Sequence, residues 1–198
     1  MPDVEVKIGE NNEILLRGKT ITTGYYKKPE ATAAAIDRDG WFHTGDAGYL
    51  KDSHLYLTER IKDLFKTSNG KYISPQALET KLAIDRYIDQ IAVIADERKF
   101  VSALIVPVYG FVKDYAKEKG IAYSNMDELL QHPKIQALFR ARIDTLQQQF
   151  AHYEQVKRFT LLTEPFSMER GELTNTLKLK RSVVAKNYKG LIDKMYEE

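Results

Sequence analysis

Apolar and polar positions alternate at the start of the chain. Val4, Val6 and Ile8 are separated by charged residues, Gly9 to Asn12 is turn-like, and Ile14-Leu15-Leu16 resumes the apolar run. A period of two interrupted by Gly and Asn predicts a β-hairpin. The run Pro29-Glu30-Ala31-Thr32-Ala33-Ala34-Ala35-Ile36 predicts a short helix opened by proline and closed by Asp39-Gly40. Two strand pieces are expected next, Ala47 to Leu50 and Leu55 to Thr58, around a turn at 51–54. After Arg60 the character changes. Ser74-Pro75 supplies a cap and a proline start for a helix through Leu82. Ile88 to Ala95 and Val101 to Val108 read as buried strands. Ile135, Leu138, Phe139, Arg142, Ile143, Leu146 and Phe150 keep helical spacing. A strand from Arg158 to Leu162 follows, and a last helix is expected to bury Val184, Tyr188, Leu191, Ile192 and Met195. The fold class this predicts is α+β. A small β-rich segment, 1–60, passes through a join at 61–64 into a compact α+β domain, 65–198, with a mixed sheet and flanking helices.

Composition narrows the function. Hydrophobic residues make up 43% of the chain, enough for a real core. Lys and Arg number 30 against 28 Asp and Glu, so net charge is only +2 and nothing points to nucleic acid. There is no cysteine, which excludes disulfides, cysteine metal sites and thiol nucleophiles. The longest apolar stretch, Ala103 to Val112, is broken by Pro107 and Gly110 and falls short of the ~20 residues of a spanning helix. Met1-Pro2-Asp3-Val4 opens directly into strand-like alternation, with no leader-like run. The expectation is a soluble, cytoplasmic chain.

Three segments carry candidate chemistry. In Trp41-Phe42-His43-Thr44-Gly45-Asp46 a carboxylate stands beside a glycine, at what reads as a tight turn between strands. A carboxylate only accepts hydrogen bonds, so it suits paired hydroxyls such as those of a ribose. Alone, the segment fits a turn-capping Asp better. From Thr58 to Pro75, four cations (Arg60, Lys62, Lys66 and Lys71) are interleaved with apolar residues beside Ser68-Asn69-Gly70. Arg60 and Lys66 could neutralise phosphates, and Gly70 lets backbone approach a ligand. A solvated turn is the plainer alternative, and no Gly-x-x-x-x-Gly-Lys-Ser/Thr run exists in the chain. Gly171 to Arg181 is hydroxyl-rich and ends in Lys178, Lys180 and Arg181. A lysine at such a tip can stabilise developing negative charge, or simply be a surface lysine. His43, His54, His132 and His152 show no metal-ligand spacing, and no residue is assigned to a metal.

Together and in this order, the segments resemble the adenylate-forming superfamily of acyl-CoA synthetases, luciferases and peptide-synthetase adenylation domains. The run LLRGKTITTGYY (15–26) leading to GWFHTGD (40–46) is similar to the family's approach to its ribose-binding aspartate. YLTERIKDLFKTSNGKYISPQALE (56–79) resembles the hinge segment. GELTNTLKLKR (171–181) resembles the stretch holding the catalytic lysine, in its long-chain fatty-acyl form. Many relatives have an Arg-Thr…Gly-Lys version there, where this chain has Leu173-Thr174 and Leu177-Lys178. The stretch from Phe111 to Phe150 also looks like a long-chain-type insertion.

The resemblance implies a role for each matching position. Asp46 would accept the ribose hydroxyls of ATP and of the acyl-adenylate, with Arg60 on the ribose or phosphate side. Lys62 and Asp63 would form the hinge. Lys178 would bridge the fatty carboxylate and the α-phosphate. Lys66, with the loop Ser68, Asn69, Gly70 and Lys71, would face CoA after a domain rotation. The substrates implied are a fatty acid, ATP and CoA. Mg²⁺ would be held by a larger amino-terminal domain, the implied partner, whose phosphate loop and acyl tunnel nothing here resembles. The expectation is therefore the carboxy-terminal part of an AMP-forming ligase, inactive alone, whose parent could touch a membrane peripherally. Another branch of the superfamily (medium-chain or aryl) and a stand-alone nucleotide- or protein-binding module are the alternatives.

Overall fold

A computed structural model describes residues 3–197; Met1, Pro2 and Glu198 lie outside it, so the expected opening at Met1-Pro2 is not described. The chain divides after Leu64 into two compact units.

The first unit is an antiparallel sheet in the order β1-β2-β3-β4: Val4–Ile8, Glu13–Gly18, Phe42–Lys51 and His54–Arg60. The alternation read from Val4 to Ile8 becomes β1, paired from Val4↔Gly18 to Ile8↔Ile14. Asn11 and Asn12 both take positive φ in the connecting turn, a conformation asparagine tolerates. Helix α1, Pro29–Ala35, starts at its proline. One expectation here needs correction. β3 begins at Phe42, so Asp46 lies inside a strand and not at a turn between two. Its neighbour Gly45 sits at φ 70 beside a register shift against β2, and this bends the ladder where a turn had been read.

The second unit is built on a mixed sheet, β7-β8-β9, formed by Ile88–Ile94, Val101–Pro107 and Val156–Leu161. β7 runs antiparallel to β8, and β8 parallel to β9. Every residue of β8 is buried. Its successive side chains alternate between two cores: Ala103 and Ile105 join Leu78, Leu129, Phe139 and Ile143, while Leu104 and Val106 join Phe166, Val184 and Ile192. A strand covered on both faces needs a continuous apolar run, which is why this segment carries no polar alternation. The parallel step from β8 to β9 requires a long crossover. It is made by α3 (Tyr109–Glu118), α4 (Met126–Gln131) and α5 (Pro133–Leu146). These helices supply Val112, Leu129, Leu130, Ile135, Phe139 and Ile143 to the core. The stretch 111–150 is thus an integral layer and no appendage.

Helix α2 (Pro75–Leu82) has the expected cap, with Ser74 Oγ accepting from Ala77 N at 3.1 Å. α5 stops at Leu146, and Phe150 packs against the core from the turn beyond it. The expected final helix is two, α6 (Arg181–Asn187) and α7 (Lys189–Lys194), broken at Tyr188. Val184, Ile192 and Met195 are buried as expected, whereas Leu191 is 38% exposed because the break turns α7 away from a continuous stripe. Two short strands, β5 (Phe65–Lys66) and β6 (Tyr72–Ile73), form a separate ribbon before α2. Among the described residues no helix is long and apolar enough to cross a membrane.

Candidate functional site

In the first unit, the sheet brings Asp46 and Arg60 together. They are register partners across β3 and β4, and Arg60 Nε lies 3.3 Å from Asp46 Oδ1. Sequence reasoning assigned both to one ligand without foreseeing that they pair. The contact occupies a fraction of the carboxylate's acceptor capacity, so hydroxyl donors remain compatible with it. The approach to Asp46 is rigidly built. Thr44 Oγ1 donates to Ile14 O at 2.8 Å and accepts from Asp46 N at 3.1 Å. Glu13 accepts from Gly45 N at 3.0 Å through one oxygen and faces His43 Nδ1 at 2.8 Å through the other. Gly45, Arg60 and Lys62 line an open cavity with His43, Glu13 and Lys7, about 660 Å³ in volume. Glu13 was missed in the sequence because its partners lie 30 and 32 positions away. Lys62 and Asp63 form a single 3₁₀ turn at the end of β4, closed by Leu64 N donating to Ile61 O at 3.1 Å.

In the second unit, Lys66 ends β5 and opens the turn 67–71. Its backbone is held from both sides, its N–H by Asp96 Oδ1 at 3.3 Å and its carbonyl by Glu97 N at 2.9 Å. Thr67 is buried and closes the turn: its N–H donates to Lys71 O at 2.9 Å and its hydroxyl accepts from Lys71 N at 3.1 Å. Gly70 takes φ 73, which a side chain would strain. Ser68 N donates to Arg98 O at 3.0 Å. The exposed Lys66 and Lys71 ammoniums lie over Tyr72 and Tyr153, 5.8 and 5.6 Å from the ring centroids. Ser68-Asn69-Gly70 is a tightly bonded turn with Ser68 and Asn69 exposed.

Lys178 sits on a hairpin of backbone rungs. Lys180 N donates to Glu172 O at 2.8 Å, Leu173 bridges Leu179, and Thr174 N donates to Lys178 O at 2.8 Å. Thr174 Oγ1 also accepts from Lys178 N at 3.0 Å. Leu177 turns the tip at φ 59, a region L-residues avoid, and leaves Lys178 exposed. The three terminal cations therefore differ. Arg181 forms a two-pronged pair with Glu79 at 2.6 Å, and Glu79 also accepts from Val93 N at 2.8 Å. That strut ties the hairpin exit to α2 and β7. The roots of the two cationic segments share one cavity of about 320 Å³, lined by Phe65, Asp96 and Arg98 on one side and Leu179 and Arg181 on the other.

Behind Lys178 lies Glu172, fully buried. Burial pushes its carboxyl up, but hydrogen bonds from Arg170, Asn187 and the Ser167 backbone outweigh that and hold it below the ordinary carboxylate range. Sequence reasoning passed over it, since a glutamate in a polar run reads as solvated. Among the described residues no three His, Cys, Asp or Glu side chains gather as metal ligands.

A β-rich approach to an aspartate, followed by a mixed-sheet unit with an outward lysine hairpin, defines a class, and comparison names it. The chain belongs to the family of AMP-binding enzyme C-terminal domains, whose model matches residues 62–198. It is 37% identical over 190 residues to the peroxisomal long chain acyl-CoA synthetase 7 of Arabidopsis thaliana, covering 94% of this chain and 27% of that protein. It is 35% identical to long-chain-fatty-acid–CoA ligase 5 of Rattus norvegicus, covering 96% and 28%. The adenylation domain of a carboxylate reductase from Mycobacterium chelonae superposes on all of this chain and 32% of its own, with TM-score 0.71 and 25% identity. The chain thus spans less than a third of the length of these relatives.

Proposed function

We propose that this chain is the mobile carboxy-terminal part of an AMP-forming long-chain fatty-acid–CoA ligase. The full enzyme makes acyl-AMP and pyrophosphate from a fatty acid and ATP, then acyl-CoA and AMP from the adenylate and CoA. The reading is carried by Lys178, exposed on a backbone-fixed hairpin in a chain of this family. Its charge suits the negative charge that develops between the fatty carboxylate and the α-phosphate, and its fixed backbone lowers the cost of reaching that geometry. Asp46 takes the ribose hydroxyls, with Arg60 beside it on the nucleotide.

Two anionic steps are served by two cationic turns. Rotation of residues 65–198 against the preceding part, about Lys62 and Asp63, exchanges the Lys178 hairpin for the Lys66–Lys71 turn when CoA enters. The amino-terminal domain of the parent supplies the acyl tunnel and the residues for Mg²⁺. Cytoplasmic placement belongs to this proposal as its default, and a cysteine-free composition is compatible with a reducing compartment. The relatives named as long-chain synthetases favour long-chain acids over the medium-chain or aryl alternatives.

The test is AMP release from palmitate, ATP, Mg²⁺ and CoA. The isolated chain is expected to give none, and a protein that joins it to the amino-terminal region is expected to give AMP that depends on acid and CoA. In that protein Asp46→Ala raises the KM for ATP. Normal turnover by the isolated chain, or an unchanged KM for ATP, contradicts the proposal.

A further inference from the structure

We infer that Glu172 is a positioning residue for adenylation, setting where Lys178 stands although the two side chains do not meet; this rests on the ligase reading above. Glu172 is the one charged residue among the largest fully buried side chains of the described chain. Its carboxylate collects donors from three places. Arg170 Nε lies 3.1 Å from both oxygens, Ser167 N 3.0 Å from Oε2, and Asn187 Nδ2, on α6, 3.1 Å from Oε1. Arg170 is itself tied to Glu164 at 3.3 Å and to the Pro165 carbonyl. One buried carboxylate therefore joins the incoming loop, the foot of the hairpin and the following helix.

The backbone carries that constraint to the lysine. Glu172 N donates to Ser167 O at 3.0 Å and Glu172 O accepts from Lys180 N at 2.8 Å, which fixes both feet of the hairpin. The Leu173–Leu179 bridge is the next rung, and the paired bonds of Thr174 with Lys178 are the third. Moving the carboxylate moves the first rung, and the third follows.

Stability alone is a poor reason for such a residue. Well-packed apolar side chains often replace a buried ion pair with no loss or a gain, because desolvating the charges offsets their attraction. What an apolar replacement lacks is direction. It has no acceptors for donors arriving from Arg170, Ser167 and Asn187, so the hairpin would keep its packing through Leu173 and Leu179 but lose its set angle. A displacement on the order of 1 Å at a reacting group costs up to about a hundredfold in rate.

The experiment compares Glu172→Gln, Glu172→Leu and the milder Asn187→Ala with Lys178→Ala in the full-length ligase. Each half-reaction is measured separately: adenylation by pyrophosphate release, and thioester formation from supplied acyl-AMP and CoA. The expected result is a loss in adenylation kcat of about tenfold or more for the Glu172 variants and less for Asn187→Ala. The KM for ATP and the thioester rate should stay within about twofold of wild type, as expected for a group that acts on one transition state. Glu172→Gln, which keeps shape and one acceptor, should retain more activity than Glu172→Leu. If both half-reactions fall in parallel, or folded Glu172 variants adenylate normally beside an inactive Lys178→Ala, the positioning role is wrong. If Lys178→Ala itself adenylates normally, the functional reading fails first, and the two failures are told apart.

Discussion

The turn at Lys66–Lys71 and the hairpin of Lys178 both carry exposed lysines, yet they are held in place differently. The first is closed by its own residues, with Thr67 and Lys71 bonding each other and Gly70 at φ 73 supplying the left-handed residue, and its backbone is braced by hydrogen bonds to the loop at Asp96, Glu97 and Arg98. The second makes its left-handed turn with Leu177 at φ 59 and depends on distant partners, Glu172 below and the Arg181–Glu79 strut at its exit. The difference teaches that a short turn is set by its own closure and a few bonds to a neighbouring loop, while a reaching hairpin needs a foundation in the core. It also gives separate handles on the two.

The largest effect is expected at the foundation. Glu79→Ala removes both prongs on Arg181 and the acceptor for Val93 N, and should lower stability by about 2–3 kcal/mol in thermal or denaturant unfolding. Amide exchange should quicken from Leu173 to Lys180 and not in the turn 67–71. Equal loosening of both would erase the distinction. Next comes Gly70→Val. No atom lies within 4 Å of the place a Cβ would take, so the strain is conformational, and about tenfold loss is expected in thioester formation with adenylation retained.

The third effect depends on pH. Because Glu172 is held below the ordinary carboxylate range when folded, its contribution is complete above the unfolded value of about 4.3 and is lost as pH falls through the folded one. Arg170 and Tyr188 face the carboxylate, and neither changes charge in that window, since hydrogen bonding raises the guanidinium and burial raises the phenol. The stability difference between wild type and Glu172→Gln, about 1–3 kcal/mol at neutral pH, should hold to about pH 5 and fade progressively as pH falls from there through the lowered folded value. A difference independent of pH would mean that the charge is not what holds the hairpin. Smallest is Leu177→Gly. Relief of left-handed strain at a residue 68% exposed should stabilise the protein by about 1 kcal/mol or less, since glycine also frees the unfolded chain.

Much of the fold was legible because it is written in short-range pattern. The Val4-to-Leu16 hairpin, the Ser74-Pro75 helix start and the doubly buried β8 each follow from neighbours in sequence. What was illegible depends on distant partners. Arg181 looked like one more surface cation until Glu79, 102 positions away, was seen to grip it. Glu172 drew no reading, because nothing in the sequence announces the donors from Asn187 and the folded-back Ser167 amide. The last helix read as continuous because Val184, Tyr188, Ile192 and Met195 keep helical spacing, while the break at Tyr188 is set by backbone angles of −104° and 17°. In the candidate site, motif resemblance pointed to Asp46, Arg60 and Lys178, and not to the groups that hold them, Glu13, Glu79 and Glu172.

The central claim is that the two cationic turns serve different half-reactions. It is tested most directly by a crossed measurement in the full-length ligase, with Lys178→Ala and Lys66→Ala each assayed for pyrophosphate release and for thioester formation from supplied acyl-AMP. The account predicts that Lys178→Ala loses adenylation by about 10²–10³-fold and keeps thioester formation, while Lys66→Ala shows the reverse preference. Parallel loss of both half-reactions in either variant would contradict it.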